Sequence, residues 1–210
     1  IPADFATDFF SAIRGVFNSR QTMACFRQLS FIIAGAYNPK ELIQDRSISN
    51  FNIDHRIPIG DFGTPELRQL VQHLVIDETQ EVTERLLYWT GGQPFLCQRL
   101  CRYLASEASH GAAEAVDAAV ERFFREDTNH LSRILGDLRA EPKLLDYALE
   151  ITAKSVKFTP SINDWQFRLA HVIGIIAPDS NGCCSIRNRM YVRALQSGAF
   201  VENSAPASCV

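Results

Sequence analysis

Fourteen residues near the middle of the chain constrain its fold more than any others: Tyr88-Trp89-Thr90-Gly91-Gly92-Gln93-Pro94-Phe95-Leu96-Cys97-Gln98-Arg99-Leu100-Cys101. Two adjacent glycines supply the positive φ values that end a helix. Pro94 suits the first turn of the next helix, where its missing N–H costs nothing. Phe95, Leu96, Leu100 and Leu104 then recur at helical period. The pattern predicts a helix, a sharp side-chain-poor corner, and a second helix. Two readings of the corner stand side by side: a plain helix–turn–helix joint, or a surface where a flat ligand lies against bare backbone.

Around this corner the chain is mainly helical. Phe5, Phe9, Phe10, Ile13, Val16 and Phe17 mark a first helix over 4–20. Leu29 to Ala36 is a continuous apolar run, expected to be a buried central strand with a loop, Tyr37-Asn38-Pro39-Lys40, at its carboxyl end. Arg56 to Ile59 reads as a short edge strand because Pro58 cannot donate to a ladder. From Thr64-Pro65-Glu66-Leu67 onward, helices are expected to about Leu74 and over 78–89, 93–107, 112–126, 128–138, 141–154 and 161–170. Val172 to Ala177 and Cys183 to Arg187 read as strands joined through Asn181-Gly182, a hairpin signal. A short helix follows over 190–196, and the polar tail 202–210 reads as disordered.

Totals exclude several classes. The 210 residues are 46% apolar and 21% charged with a net charge of −3, so no global positive field recruits nucleic acid or acidic lipid. The six cysteines, Cys25, Cys97, Cys101, Cys183, Cys184 and Cys209, lack paired metal spacing, so no metal site is expected and reduced thiols in the cytoplasm are. No signal peptide or spanning apolar run appears. The chain opens on Ile-Pro without an initiator Met, an expected fragment of something longer.

The order of these motifs resembles the C-terminal part of the AAA-like ATPase domains of the STAND class of P-loop NTPases, particularly the bacterial and cyanobacterial AAA-like group. Phe9-Phe10-Ser11-Ala12-Ile13-Arg14 looks like the helix that follows Walker B. Leu29 to Ala36 with Asn38-Pro39 looks like the sensor-1 strand and loop, and Phe51-Asn52-Ile53 through Asp61-Phe62 like the turn into the lid. Tyr88 to Pro94 looks like the glycine-glycine-x-proline corner of the lid, and Ile186-Arg187-Asn188-Arg189-Met190-Tyr191 like the signature leaving the wing. The resemblance covers about residues 4–197. It implies a partial P-loop NTPase core over 1–63, a helical lid bundle over 64–138, a winged-helix domain over 139–200 and a tail over 201–210. The implied fold class is mainly α with a small α/β portion.

The resemblance also implies a function: a signalling switch whose lid and winged helix close on ATP or ADP, with Mg²⁺ only in a full-length protein. Gly91, Gly92, Gln93 and Pro94 are then adenine contacts. Asn38 is either a γ-phosphate sensor or an Asx turn before Pro39. Arg187 and Arg189, expected to share one face of a strand with Asn188 pointing away, either reach the phosphates or pair with Asp117 or Glu121. Arg14 and Arg46 are trans-acting fingers in an oligomer, or surface charge. No G-x-x-x-x-G-K-[ST] loop and no Walker B strand occur in the chain, so no catalytic residue is assigned and the chain alone is expected to be inactive. Its expected partners are an adenine nucleotide, the missing N-terminal P-loop portion or a fused effector, and a second copy in a homo-oligomer.

Two alternatives remain: a winged-helix DNA-binding regulator, and an interaction scaffold without nucleotide chemistry. Residues 141–210 carry seven Lys and Arg against six Asp and Glu, a net of +1, and the expected recognition helix over 161–170 has one Arg and one Asp. A DNA reader needs several phosphate-contacting cations and a polar base-reading face.

Of the histidines, His55 and His73 read as surface residues and His171 as a core residue. Tyr88 and Trp89 read as lid core.

Overall fold

The structure is a computed structural model that describes residues 3–34, 55, 57, 59–74, 79–106, 113–126, 129–154, 157–159, 161, 164–179 and 181–197. It divides into two units, Ile1–Ile59 and Gly60–Val210. The described residues are mainly helical, with one two-stranded sheet among them. None of their helices is long and apolar enough to cross a membrane.

In the first unit, α1 (Ala3–Asn18) buries Phe10 and Ile13 and leaves Phe5, Phe9 and Phe17 exposed. Two 3-10 turns follow, Ser19–Gln21 and Ala24–Gln28. Arg20 lies over the Phe17 ring at 5.1 Å and donates to the Leu29 carbonyl at 2.6 Å. The expected central strand differs from what is found: residues 29–34 join no ladder, and Ile32 is 96% exposed. A strand needs a partner for each N–H and C=O, and the described residues of this unit supply none. Ile57 and Ile59 are likewise exposed and outside any strand. Asn38 and Arg46 lie outside the described residues.

The second unit starts α2 (Thr64–Gln72) at Gly63, whose N–H donates to Glu66 Oε2 at 3.0 Å, with Pro65 in the first turn. Helices α3 (Thr79–Thr90), α4 (Pro94–Ser106), α5 (Ala113–Glu126), α6 (His130–Ala140) and α7 (Pro142–Lys154) follow within one or two residues of the expected spans. Each buries its apolar stripe: Leu67 and Val71 on α2, Val82 and Leu86 on α3, Leu96, Leu100 and Leu104 on α4, Val120 and Phe123 on α5. Each such side chain contributes about 1.5–3 kcal/mol of apolar transfer. Helix α2 packs on α3, α3 on α4 and α5, and α6 on α7.

The C-terminal elements continue the same core. Asp164 caps α8 (Trp165–Ile173) by accepting from the Gln166 and Phe167 N–H groups, and Gly174 ends it at φ 86°. Strands β1 (Ile176–Pro178) and β2 (Cys184–Ile186) pair antiparallel with Ile176 opposite Ile186. Asp179 Oδ1 fixes the turn between them, accepting from the N–H groups of Asn181 and Cys183. Phe158 bridges the outer edge of β2 at Cys184. Helix α9 (Arg189–Gln196) leaves the hairpin and packs on α7 and α3.

Candidate functional site

The double-glycine corner joins α3 to α4. Gly91 and Gly92 both hold positive φ, 58° and 81°. Thr90 stitches the break from inside: its hydroxyl donates to the Leu86 carbonyl at 2.7 Å and accepts from the Gly92 N–H at 3.1 Å. Gln93 starts α4, its Oε1 accepting from the Leu96 N–H at 2.9 Å. This amide replaces the Ser, Thr, Asn or Asp that usually caps a helix. The corner is therefore rigid before anything touches it.

Two distant segments close on it. The Phe62 N–H donates to the Gly92 carbonyl at 2.7 Å, and a Cβ on Gly92 would stand 2.1 Å from the Phe62 carbonyl oxygen. On the other side, a Cβ on Gly91 would meet the Arg187 carbonyl oxygen at 2.8 Å and the Asn188 Cβ at 3.4 Å. Both glycines thus answer two demands, left-handed backbone and direct backbone contact. Residues 61–63, 90–94 and 187–189 form a single junction.

An ion pair crosses it. The Arg187 guanidinium forks onto Asp61, with Nε 3.2 Å from Oδ2 and Nη2 on Oδ1. The Arg187 N–H is held by the Ile175 carbonyl at 2.8 Å, so the side chain leaves from a fixed backbone. Asn188 caps α9, its Oδ1 accepting from the Tyr191 N–H at 2.9 Å. Arg189 is exposed and lies 4.1 Å over the Tyr88 ring.

Beside the junction, Arg85 forks onto Asp117, both contacts at 2.8 Å, and Trp89 Nε1 donates to the same carboxylate at 2.6 Å. Arg85, and to a smaller extent Trp89, holds the Asp117 carboxyl below the usual range. Arg193 forks onto Glu121, which lowers that carboxyl as well. Burial pushes the Cys97 thiol up to about 11 and Cys101 up to about 12, so neither is a ready nucleophile. At the start of α4, Phe95 stacks on His130 at 4.3 Å, and His130 Nε2 meets the Tyr191 hydroxyl at 2.8 Å.

The structure brings Gly91, Gly92, Gln93, Pro94, Arg187 and Arg189 to this junction, while Asn38 lies outside the described residues. Several expectations need correction. Arg187 and Arg189 do not alternate on a strand, because β2 ends at Ile186 and the chain turns into α9. Asn188 does not point away; it is 5% exposed at the helix cap. Arg187 pairs with Asp61 rather than Asp117 or Glu121, which are taken by Arg85 and Arg193. Tyr88 is 43% exposed rather than core, and Trp89 is half-buried. His171 is exposed, stacking on Phe167 at 5.8 Å. Asp61 and Asn188 were legible as members of motifs but not as functional groups, since only the folded junction gives each its partner.

The family comparison covers nearly all of this architecture: residues 2–197 match the AAA-like domain. The chain belongs to the AAA-like domain family. Membership points to nucleotide binding as the domain's general property. The AAA-like domain is also 37% identical over 106 residues to an uncharacterized WD repeat-containing protein of Synechocystis sp. (strain ATCC 27184 / PCC 6803 / Kazusa). That match covers 50% of this chain and 9% of the relative's length. No solved structure matches this chain.

Proposed function

We propose that this AAA-like domain chain is the C-terminal portion of a STAND-class nucleotide switch. Residues 1–63 belong to the α/β core, 64–138 form the lid and 139–200 the winged helix. An adenine nucleotide, ATP or ADP, lies against the corner Gly91-Gly92-Gln93-Pro94, and its occupancy sets whether the winged helix stays closed on the lid. The observation that carries this reading is the three-way junction. The lid entry, the lid corner and the turn into α9 touch through backbone at Gly91 and Gly92 and through Arg187–Asp61. A change at any one segment is felt by the other two, which is what a switch requires. Phosphoryl transfer needs a P-loop lysine and metal-holding carboxylates, and the motifs that supply them do not occur in this sequence.

Titration of the chain with fluorescent ADP and ATP analogues tests the reading. Weak saturable binding, competed by unlabelled adenine nucleotide and abolished by Gly91→Val, is the expected result. No competable binding would favour an interaction scaffold instead.

A further inference from the structure

A second set of contacts, separate from the two glycines, ties α9 to the bundle. Phe95 in the first turn of α4, His130 at the start of α6 and Tyr191 in the first turn of α9 stack in series, with ring centroids 4.3 Å and 5.9 Å apart. His130 Nε2 lies 2.8 Å from the Tyr191 hydroxyl. Tyr191 is 2% exposed, and burial pushes its phenol up to about 12, so the hydroxyl keeps its proton across the physiological range. A buried hydroxyl proton needs an acceptor. The Asn188 amide acts on this phenol as a donor, and its Oδ1 is engaged by the Tyr191 N–H. The acceptor is therefore His130 Nε2, which makes the ring neutral with its proton on Nδ1.

From this geometry we infer that His130 is a proton-operated clasp on α9, closed while its ring is neutral and released when the ring takes up a proton. Protonation turns Nε2 from acceptor into donor. The phenol oxygen can accept from it, but the phenol's own proton is then left buried without a partner, at the full cost of an unmade hydrogen bond. Nearby charges add to that cost. His130 is the first residue of α6, at the positive end of the helix. Arg133, one turn along α6, and Arg187 both act on the Tyr191 phenol as positive charges. The carboxylates on these elements are engaged, Asp137 by Arg133 at 3.5 Å and Asp61 by Arg187. On α4 the next charged group is Arg99, one turn beyond Phe95. On α9, Arg189 is held over Tyr88 and Arg193 on Glu121. The Phe95 face favours an imidazolium, but Phe95 is 43% exposed, and such a contact is weak at the surface. The closed form thus prefers the neutral ring, and acidification through the ordinary imidazole value of about 6.5 favours release. Asn188, which holds the Tyr191 N–H, also faces Gly91, so release of Tyr191 reaches the junction. The clasp goes beyond the nucleotide reading and does not depend on it.

NMR of the chain labelled at its histidine rings, titrated from pH 8 to 5, tests the clasp, with the His130 signal assigned by its loss in His130→Gln. The expected result is the Nδ1–H tautomer at neutral pH and titration below the ordinary imidazole value. The Nε2–H tautomer, or titration at or above that value, overturns the inference. Hydrogen exchange of the 189–196 amides, read by mass spectrometry at pH 7.5 and 5.5 and corrected for the intrinsic rate, follows release itself. Protection of α9 in wild type should fall about fivefold at the lower pH, the change that a one-unit difference between closed and released states gives there. The Gln amide oxygen of His130→Gln still accepts from Tyr191 but does not titrate, so protection in that variant should be equal at both pH values. An equal fall in both proteins, or none in wild type, overturns the clasp. Should His130→Gln not fold, replacing the other four histidines by Gln leaves His130 as the one titrating ring. The fall should then persist, and its loss counts against the clasp in the same way.

Discussion

Gly92 carries two constraints that no other residue type meets together. Its φ of 81° disfavours any side chain, and a Cβ there would lie 2.1 Å from the Phe62 carbonyl oxygen, with the Phe62 carbon and nitrogen also within 3.2 Å. The obstacle is backbone, so no rotamer change relieves it. Gly92→Ala should therefore cost well over the usual penalty for a positive-φ glycine, about 3 kcal/mol or more, because the Phe62 N–H bond to the Gly92 carbonyl must also give way. Gly91→Ala faces the Arg187 carbonyl oxygen at 2.8 Å and should cost less, about 1–3 kcal/mol. Urea unfolding of both variants checks the order. Equal, small losses would mean that the three segments do not meet as described. The turn at these glycines was legible from residue type alone. What the glycines touch was not, because Phe62 approaches Gly92 from 30 residues away and Arg187 approaches Gly91 from 96.

At the scale of elements, helix positions were readable because apolar period and breakers act locally. Thr90 and Gln93 complete α3 and begin α4 through bonds of three or four residues' span, and the expected boundaries of both fall within a residue. Helix α8, expected over 161–170, instead runs Trp165–Ile173, because Asp164 caps it and Gly174 ends it, which takes Val172 and Ile173 out of the expected strand. Strand expectations fared worse where they depended on a distant partner. The hairpin β1–β2 forms because Asp179 and Gly182 build its turn in place. Leu29 to Ala34 has the composition of a central strand but no neighbouring strand to pair with among the described residues. Ion pairs followed the same rule, since their partners are distant in sequence: Arg187 and Asp61 lie 126 residues apart, Arg193 and Glu121 72, and Arg85 and Asp117 32. Asp117 ties α3 to α5 by accepting from both Arg85 and Trp89. Its folded pKa is lowered, so the stabilisation is full above the unfolded value of about 4 and is lost as pH falls through the folded one. Asp117→Asn should cost about 1 kcal/mol at neutral pH, given that the pair is partly solvent-screened, and should lose less stability than wild type on acidification. Thermal unfolding from pH 7 to 3 tests this; parallel pH profiles would show that Asp117 contributes no such linkage.

Over the second unit as a whole, the bundle and the hairpin elements share one continuous apolar core, running from Leu67 and Leu86 through Leu100, Ile134 and Leu144 to Ile176 and Leu195. That core runs without a break past residue 138, where a boundary between lid and winged helix was expected. A shared core predicts shared unfolding. The thiols report it without added probes. Cys97 and Cys101 are buried in α4, Cys184 is buried in β2, and Cys25 is exposed in the first unit. Burial raises the pKa of all three buried thiols, which slows their attack on an alkylating reagent even before access is considered. Under native conditions iodoacetamide should modify Cys25 rapidly and leave Cys97, Cys101 and Cys184 intact. With rising urea, those three should become reactive together, at the midpoint where helical circular dichroism is lost. Mass-spectrometric peptide mapping at each urea concentration resolves them individually. If Cys184 reacts at a lower concentration than Cys97, the hairpin and α9 come away before helices α3 and α4. The junction at Gly91 and Arg187 would then be the seam along which the unit parts, and Asp61→Asn should widen the gap between the two midpoints. If all three thiols react together even in Asp61→Asn, the shared core rather than the ion pair holds the two halves closed.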